Sequence, residues 1–153
     1  MRIAVSACLL GEACRYDGNA KACERVIALA AGHEVLPICP EVAGGLPTPR
    51  VPSEIVRSDG PGSPSRVVNA EEVDVTEAFM RGARISVQEM VEFGCAAAIL
   101  KAKSPSCGSG LIYDGSFSGK LTHGWGIAAS MIREAGIPVF DENDAERAFE
   151  ALG

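Results

Sequence analysis

The stretch AAAILKAKSPSCGSG, residues 96–110, decides the fold. Its first five residues are small and apolar, a pattern typical of a strand that is buried on both faces of a parallel sheet. Pro105, Gly108 and Gly110 then prevent a helix from continuing. Cys107 is therefore expected on a tight loop at the carboxyl end of a buried strand.

Further strand patterns recur along the chain, with helical periodicity between them. The strands are predicted at residues 2–7, 34–38, 96–101 and 137–140. Alternation of strands and helices predicts an α/β protein whose mostly parallel sheet is covered by helices on both faces, in three layers. The chain has 153 residues, a usual length for one domain, so residues 1–153 are expected to form a single domain.

Four helices are predicted. They cover residues 20–31, residues 74–93, residues 123–135 and a short segment after residue 143. The second helix has the clearest start, because Asp74 and Glu77 in DVTE match a capping box. Gly32 and Gly94 are expected to end the first two helices.

Residues 40–69 differ in composition from the rest of the chain. Prolines and glycines surround two short β-prone runs, residues 54–56 and 66–68. This pattern predicts an ordered loop with a small hairpin, inserted into the α/β domain. We find no internal repeat and no boundary of a second domain in the sequence.

The charge and composition argue against several classes of function. The formal net charge is −6 and no basic stripe is present, so nucleic-acid binding is not expected. The first apolar run is too short to span a membrane and lacks the pattern of a signal peptide. We therefore expect a cytoplasmic protein that acts on a small molecule. The sequence makes no prediction of the oligomeric state.

The chain contains six cysteines, at positions 8, 14, 23, 39, 95 and 107. In a cytoplasmic protein these are expected to be reduced thiols and not disulfides. Cys23 and Cys95 are predicted to pack as small hydrophobic residues. Cys14 belongs to the same loop as Cys8, and its role is left open between a neighbour of the site and a core residue.

The other three cysteines follow the ends of predicted strands. Cys8 follows the first strand, Cys39 the second, and Cys107 the strand at residues 96–101 after a short loop. Ligands bind outside the carboxyl ends of the strands in open α/β sheets. The three thiols are therefore predicted to converge at one site, although they are far apart in sequence.

Three converging thiolates indicate a soft metal site. None of them belongs to a C-x-x-C pair, so structural zinc is the weaker interpretation. An iron–sulfur cluster held by three thiolates leaves one iron without a protein ligand, and that iron can act as a Lewis acid. A nucleophilic cysteine is the competing interpretation, because Cys8 and Arg15 resemble a phosphate-binding C-x5-R loop. Six residues separate the two, however, and the loop contains one glycine.

Five segments, in order along the chain, together resemble the bacterial thiouracil desulfidase family. They are SACLLGEACRYDG (6–18), CPEVAGGLPTPRVPSE (39–54), LKAKSPSCG (100–108), IYDGSFSG (112–119) and GIPVFDE (136–142). The resemblance implies a Rossmann-like domain in which Cys8, Cys39 and Cys107 bind a 4Fe-4S cluster whose fourth iron is open. It also implies a desulfidase that replaces the sulfur of a thiolated pyrimidine, such as 2-thiouracil, by the oxygen of water, without net redox change.

Glu41 and Ser104 occupy the positions that match the family's catalytic residues. Glu41 is suited to act as a general base on water, and Ser104 to form a hydrogen bond with a pyrimidine edge. Structural roles are open for both: Glu41 is also suited to cap a helix or pair with Arg50, and Ser104 to cap the loop before Pro105. A second hypothesis is a non-catalytic iron–sulfur or zinc binding module that acts through a partner protein.

The resemblance also draws attention to the loop around Cys107 and to the third predicted helix. Ser106 and the backbone amides near Gly108 are expected to donate hydrogen bonds to cluster sulfurs. In GWGIAA the chain has Ala128 where the family more often has a threonine, so a hydroxyl is missing. His123 is a candidate pocket residue, or else an exposed residue at the start of that helix.

Overall fold

A computed structural model describes residues 1–57 and 65–152. The elements of this part of the chain are, in order, β1 (Arg2–Ser6), α1 (Glu24–Ala30), β2 (Glu34–Ile38), α2 (Pro40–Ala43), β3 (Ser53–Arg57), β4 (Ser65–Asn69), α3 (Thr76–Phe93), β5 (Ala97–Leu100), β6 (Ser109–Tyr113), β7 (Leu121–Trp125), α4 (Ile127–Glu134), β8 (Val139–Asp141) and α5 (Ala145–Leu152). A 3₁₀ turn, Ala7–Leu10, follows β1 directly.

The central sheet contains four parallel strands in the order β2-β1-β5-β8. Ala4 in β1 is paired with Leu36 of β2 on one side and with Ala98 of β5 on the other. All four residues of β5 are buried, because helices cover this strand on both faces. The predicted α/β architecture with a mostly parallel sheet is confirmed, and each of its four strands lies within two residues of its predicted bounds.

Helices form a layer on each face of the sheet, and alternate strand residues point to opposite layers. On one face, Ala98 and Leu100 pack with residues of α3 and α4, including Met90 and Ile132. On the other face, residues of α1 and α5 pack against a second core cluster that includes Ile99. The two central strands, β1 and β5, are therefore buried along almost their whole length, whereas the edge strands β2 and β8 remain partly exposed.

The predicted hairpin insertion is confirmed as β3 and β4, which pair antiparallel with Ile55 opposite Val67. Both of these residues are buried in a third cluster with Phe79 of α3 and Ile112 of β6. The predicted ordered loop lies partly at residues 58–64, outside the described residues.

The predicted helix at residues 123–135 is wrong in its first part. α4 begins at Ile127, and the preceding residues form β7, which pairs antiparallel with β6. His123 therefore lies in a strand opposite Leu111, not at the start of a helix. The sequence does not predict this second hairpin, because both of its strands are partly exposed. In addition, the helical spacing of apolar residues in α4 continues towards the N-terminus into β7.

The starts of two other helices also differ from prediction. α1 begins at Glu24 and not at residue 20, because the N–H groups of Lys21 and Cys23 donate to carbonyls of the 3₁₀ turn instead of entering a helix. The predicted capping box of α3 does not form. Asp74 accepts a hydrogen bond from the backbone of Thr76, while Glu77 pairs with Arg84.

The short helix α2 was not predicted, and it determines where the segment after β2 lies. Gly44, just after α2, and Gly82 of α3 allow the two backbones to touch: a Cβ on Gly82 would stand 1.7 Å from the carbonyl oxygen of Pro40. Only glycine permits this contact. In the described part of the chain, no helix has the length and apolar character needed to cross a membrane.

Candidate active site

A cavity of about 480 Å³ opens at the carboxyl ends of β1, β2 and β5. Its walls come from the turn after β1, the start of α2, the segment before β3 and the loop after β5. The predicted site residues that line it are Cys8, Cys39, Glu41, Ser104 and Cys107. The structure thus brings together all five residues at the edge of the sheet where ligands bind in this class of fold.

The three thiols at the cavity are buried to different extents and have different partners. Cys8 lies in the 3₁₀ turn, and burial, followed by the nearby Cys39 sulfur, raises its pKa. Cys107 is 5 % exposed, and burial raises its pKa to about 12, against hydrogen bonds from Ser6 and Ser106 that lower it. Burial disfavours the charged thiolate when no cation is near. A bound metal would therefore be needed to stabilise these cysteines as thiolates, the form that binds metal.

The loop that carries Cys107 is held by hydrogen bonds within itself. The Cys107 N–H donates to Ser104 Oγ at 2.7 Å, and the Gly108 N–H donates to the Ser104 carbonyl at 2.9 Å. The Ser106 hydroxyl donates to Glu41 Oε2 at 2.9 Å and lies 3.7 Å from Cys107 Sγ. Ser104 therefore caps the loop, one of the two roles that the sequence left open, and its Oγ also lies 3.4 Å from Ser106 Oγ.

The same loop is attached to the start of α4. Backbone N–H groups of residues 126, 127 and 129 donate to carbonyls of residues 108, 105 and 106, at 2.8 to 2.9 Å. Gly126 makes this contact possible, because a Cβ there would stand 2.5 Å from the carbonyl carbon of Ser106. Two of the first amides of α4, those of Ile127 and Ala129, have no partner within the helix and are thereby satisfied by the loop.

Glu41 joins the two sides of the cavity. One carboxylate oxygen accepts from Arg50 Nε at 3.1 Å and the other from the Ser106 hydroxyl at 2.9 Å. The Arg50 side chain is 7 % exposed and that of Glu41 17 %. Arg50 also donates to the carbonyl oxygen of Cys14 at 2.9 Å. The pairing with Arg50 that the sequence left open is thus present, and Glu41 keeps further lone pairs for a ligand.

Comparison with known proteins identifies the chain's relatives. The family model described as 2-thiouracil desulfurase matches residues 3–144. The chain belongs to this desulfurase family. It is 42 % identical over 145 residues to the uncharacterized protein YbbK of Bacillus subtilis (strain 168), an alignment that covers 93 % of this chain and 96 % of YbbK. The predicted resemblance to thiouracil desulfidases is confirmed.

A solved member of the desulfurase family shares the fold. The structure of the 4Fe-4S-dependent thiouracil desulfidase TudS matches with a TM-score of 0.87 and 44 % identity. The match covers 99 % of this chain and 97 % of the TudS chain. Because the similarity extends over both whole chains, the cavity described above lies in a shared scaffold and not in an insertion.

The donor set of this desulfurase fits an iron–sulfur cluster better than a single ion. Within residues 1–57 and 65–152, no three His, Cys, Asp or Glu side chains are close enough to hold one metal ion. In a 4Fe-4S cluster the thiolates would bind different irons, so three cysteines would hold it from positions spaced more widely than the ligands of a single ion. Three soft sulfur donors around one cavity meet that requirement.

The remaining cysteines divide as the sequence suggested, with Cys14 now placed. Cys23 and Cys95 pack against the two core clusters and lie outside the cavity wall. Cys14 lines the cavity and its thiol lies beside Cys39; burial, followed by the charge and hydrogen bond of Cys39, raises the pKa of Cys14 to about 12. Its carbonyl oxygen accepts from Cys39 Sγ at 3.9 Å as well as from Arg50.

Two positions singled out in the sequence lie away from the cavity. Ala128 lies in the first turn of α4 and is fully buried in the core, so the missing hydroxyl would face protein and not the cavity. His123 lies in β7, outside the cavity wall. Of the two groups that hold Glu41, the sequence suggested Arg50 as a partner but not Ser106. Ser106 lies within the quoted SPSC motif, so its position was marked although its bond to Glu41 was not expected.

Proposed function

We propose that the protein is a 4Fe-4S-dependent, non-redox desulfidase that acts on a thiolated pyrimidine such as 2-thiouracil. The observation that supports this most directly is the convergence of Cys8, Cys39 and Cys107 on one cavity that also contains Glu41. The reaction exchanges C=S for C=O: water supplies the oxygen, and its two hydrogens leave with the sulfur as hydrogen sulfide. No external oxidant or reductant is needed.

Cys8, Cys39 and Cys107 would hold the cluster, one from each of three strand ends. When bound, the cluster supplies an iron without a protein ligand, a thiophilic Lewis acid suited to polarise a C=S bond. The fixed loop around Cys107 and the contact between α2 and α3 hold two of these cysteines in place before any metal is bound.

Glu41 is proposed as the general base that activates water. Arg50 and Ser106 each donate to one of its oxygens, and both donors complement a negatively charged carboxylate. The two donors also fix the side chain, so that its remaining lone pairs face the cavity in a defined position. A base held in this way is the arrangement that general base catalysis requires.

Ser104 is proposed to contact the pyrimidine. Its oxygen accepts the Cys107 N–H, and a hydroxyl has one proton and two lone pairs. The Ser104 proton has the Ser106 oxygen at 3.4 Å as its neighbour, a long contact that a ring nitrogen or the exocyclic oxygen of a pyrimidine would replace. The cavity volume lies within the usual range for sites that bind small molecules.

We also propose that residues 1–153 act as one Rossmann-like domain in the cytoplasm. The two clusters on opposite faces of the sheet share β1 and β5, which ties the helices of both layers to one core. All six cysteines are free thiols, which suits a reducing compartment.

The test is anaerobic reconstitution with iron and sulfide, followed by incubation with 2-thiouracil in water labelled with ¹⁸O. We expect a brown protein that forms uracil and sulfide in equal amounts, with the label in uracil. Protein kept free of metal is the matched control and should form neither product. A cluster-loaded protein that forms no uracil would favour the non-catalytic binding module, and a colourless protein that takes up only zinc would contradict the cluster.

A further inference from the structure

Lys101 and Glu142 form an ion pair beside the cavity that none of the roles above uses. Lys101 follows β5 and Glu142 follows β8, and their charged atoms, Nζ and Oε2, are 2.8 Å apart. The other Glu142 oxygen accepts from the Ala102 N–H at 2.7 Å. The backbone N–H of Lys101 donates to Ser6 Oγ at 2.9 Å. The pair therefore joins the ends of three neighbouring strands.

The Lys101 side chain forms part of the cavity wall although it is only 20 % exposed, and Glu142 behind it is 15 % exposed. Its ammonium donates to Glu142 and to the Ala102 carbonyl at 3.2 Å. An ammonium has three N–H groups, so one remains for a ligand in the cavity.

The other cations around the cavity are less suited to bind a ligand there. Arg50 is committed to Glu41 and to three further acceptors. Arg15 lies 3.8 Å from Asp17. Lys21 and Lys103 are exposed to solvent, where a charge is strongly screened. Lys101 is thus less exposed than the other two lysines of the cavity wall and, unlike Arg50, keeps a donor without a partner among the described residues.

Building on the proposed desulfidase reaction, we propose that Lys101, held in place by Glu142, binds the sulfur that leaves the substrate, as hydrosulfide. Sulfur leaves carbon with the bonding electron pair and one proton of the attacking water, while Glu41 holds the other proton, so negative charge accumulates on the sulfur. A fixed ammonium in a partly buried cavity stabilises such charge without having to reorganise. Glu142 keeps the ammonium in one position. This gives the GIPVFDE motif, which contains Glu142, a role at the site that neither cluster binding nor the general base provides.

The experiment titrates sodium sulfide into anaerobic, cluster-loaded protein and follows the cluster absorbance. Lys101→Met should weaken hydrosulfide binding by about 10- to 100-fold, the usual effect of losing a hydrogen bond to a charged group. Lys101→Arg should restore most of the affinity. Lys120→Met is the matched control: it removes the same charge from an exposed residue away from the cavity and should bind like the wild type.

The alternative is that the ion pair only clamps β5 to β8. In that case Lys101→Met would lower the melting temperature but leave the hydrosulfide affinity unchanged, which would overturn the inference. If the Lys101→Met protein fails to hold a cluster, Glu142→Gln replaces it in the experiment, because it keeps the contact with Ala102 and loosens only the ammonium of Lys101. An unchanged hydrosulfide affinity of Glu142→Gln would also overturn the inference. Failure of the proposed function is separate: the wild type would bind sulfide but form no uracil.

Discussion

Two loops bring cysteines to the cavity, and they are held in different ways. The loop after β5, residues 101–108, is bonded to the start of α4 through three of its carbonyls and to Glu41 through Ser106. The loop after β1, residues 11–20, bonds mainly to itself, as in the Gly18 N–H to Arg15 carbonyl bond. Its main outside contacts come from Arg50, which donates to the carbonyls of Cys14 and Tyr16.

This difference indicates that the two loops have different roles at the site. The loop after β5 is buried around Cys107, at residues 106–108, is built on glycine contacts and fixes Cys107 before a ligand arrives. The loop after β1 lies at the rim, where several side chains are exposed. Substitutions in the loop after β5 should therefore abolish cluster binding, whereas substitutions in the loop after β1 should change activity only slightly. Four predictions, in order of decreasing effect, test this comparison.

The largest effect is expected for the three proposed ligands. Cys107→Ala, and likewise Cys8→Ala and Cys39→Ala, should abolish cluster binding, because two thiolates do not hold the cluster in the cavity. Iron content and the visible spectrum after anaerobic reconstitution measure this. Cys23→Ala and Cys95→Ala are the controls and should keep their iron, since both side chains pack against the core. Wild-type iron in all three ligand variants would disprove the ligand set.

Glu41→Gln should keep the cluster and lose about 100-fold or more in turnover, as expected when a general base is removed. The amide keeps the shape of the carboxylate but is a much weaker base. Uracil formation measures turnover, and iron content reports on assembly. Ser104→Ala should lose less activity, because it removes a hydrogen bond and not the base. A Glu41→Gln protein with normal turnover would assign the base to another residue.

Gly126→Ala should destabilise the apoprotein by about 1–3 kcal/mol, the usual cost of overpacking, because its Cβ would press on Ser106. It should also lower iron uptake, since the loop of Cys107 must shift. Urea unfolding and iron content measure the two effects. Gly136→Ala is the control: it meets no atom within 4 Å and has a φ of +87°, so it should cost about 1 kcal/mol without changing iron uptake. Equal iron loss in both would show that the Gly126 contact does not matter.

The smallest effect is expected for Cys14→Ala. The part of Cys14 that is held by Arg50 is its carbonyl, which the substitution keeps. Iron content should stay near the wild-type value and turnover should change less than in the Ser104→Ala variant. Loss of iron on the scale of Cys107→Ala would make Cys14 a ligand and would remove the distinction between the two loops.

The fold and the site were predictable to different degrees. The parallel sheet was predictable because β1 and β5 are continuous apolar runs, and the convergence of the cysteines followed from the rule for strand ends. The hairpin of β6 and β7 was not, because Leu111 and Leu121 are exposed and local pattern does not reveal the pairing. The bond from Ser106 to Glu41 joins residues 65 apart and depends on the contact of Gly82 with Pro40, which only the packed structure shows.

The strand order β2-β1-β5-β8 also determines when the site comes into existence during biosynthesis. Cys8 and Cys39 are synthesised early, but β5 lies between β1 and β8, and Glu142 secures its end only after the last strand has emerged. At about 5–20 residues per second, translation from Cys39 to Glu142 takes roughly 5 to 20 s. A cluster that needs all three thiols must therefore be delivered late, to a chain whose sheet is already assembled. Until then, Cys8 and Cys39 have no third thiol with which to hold a cluster.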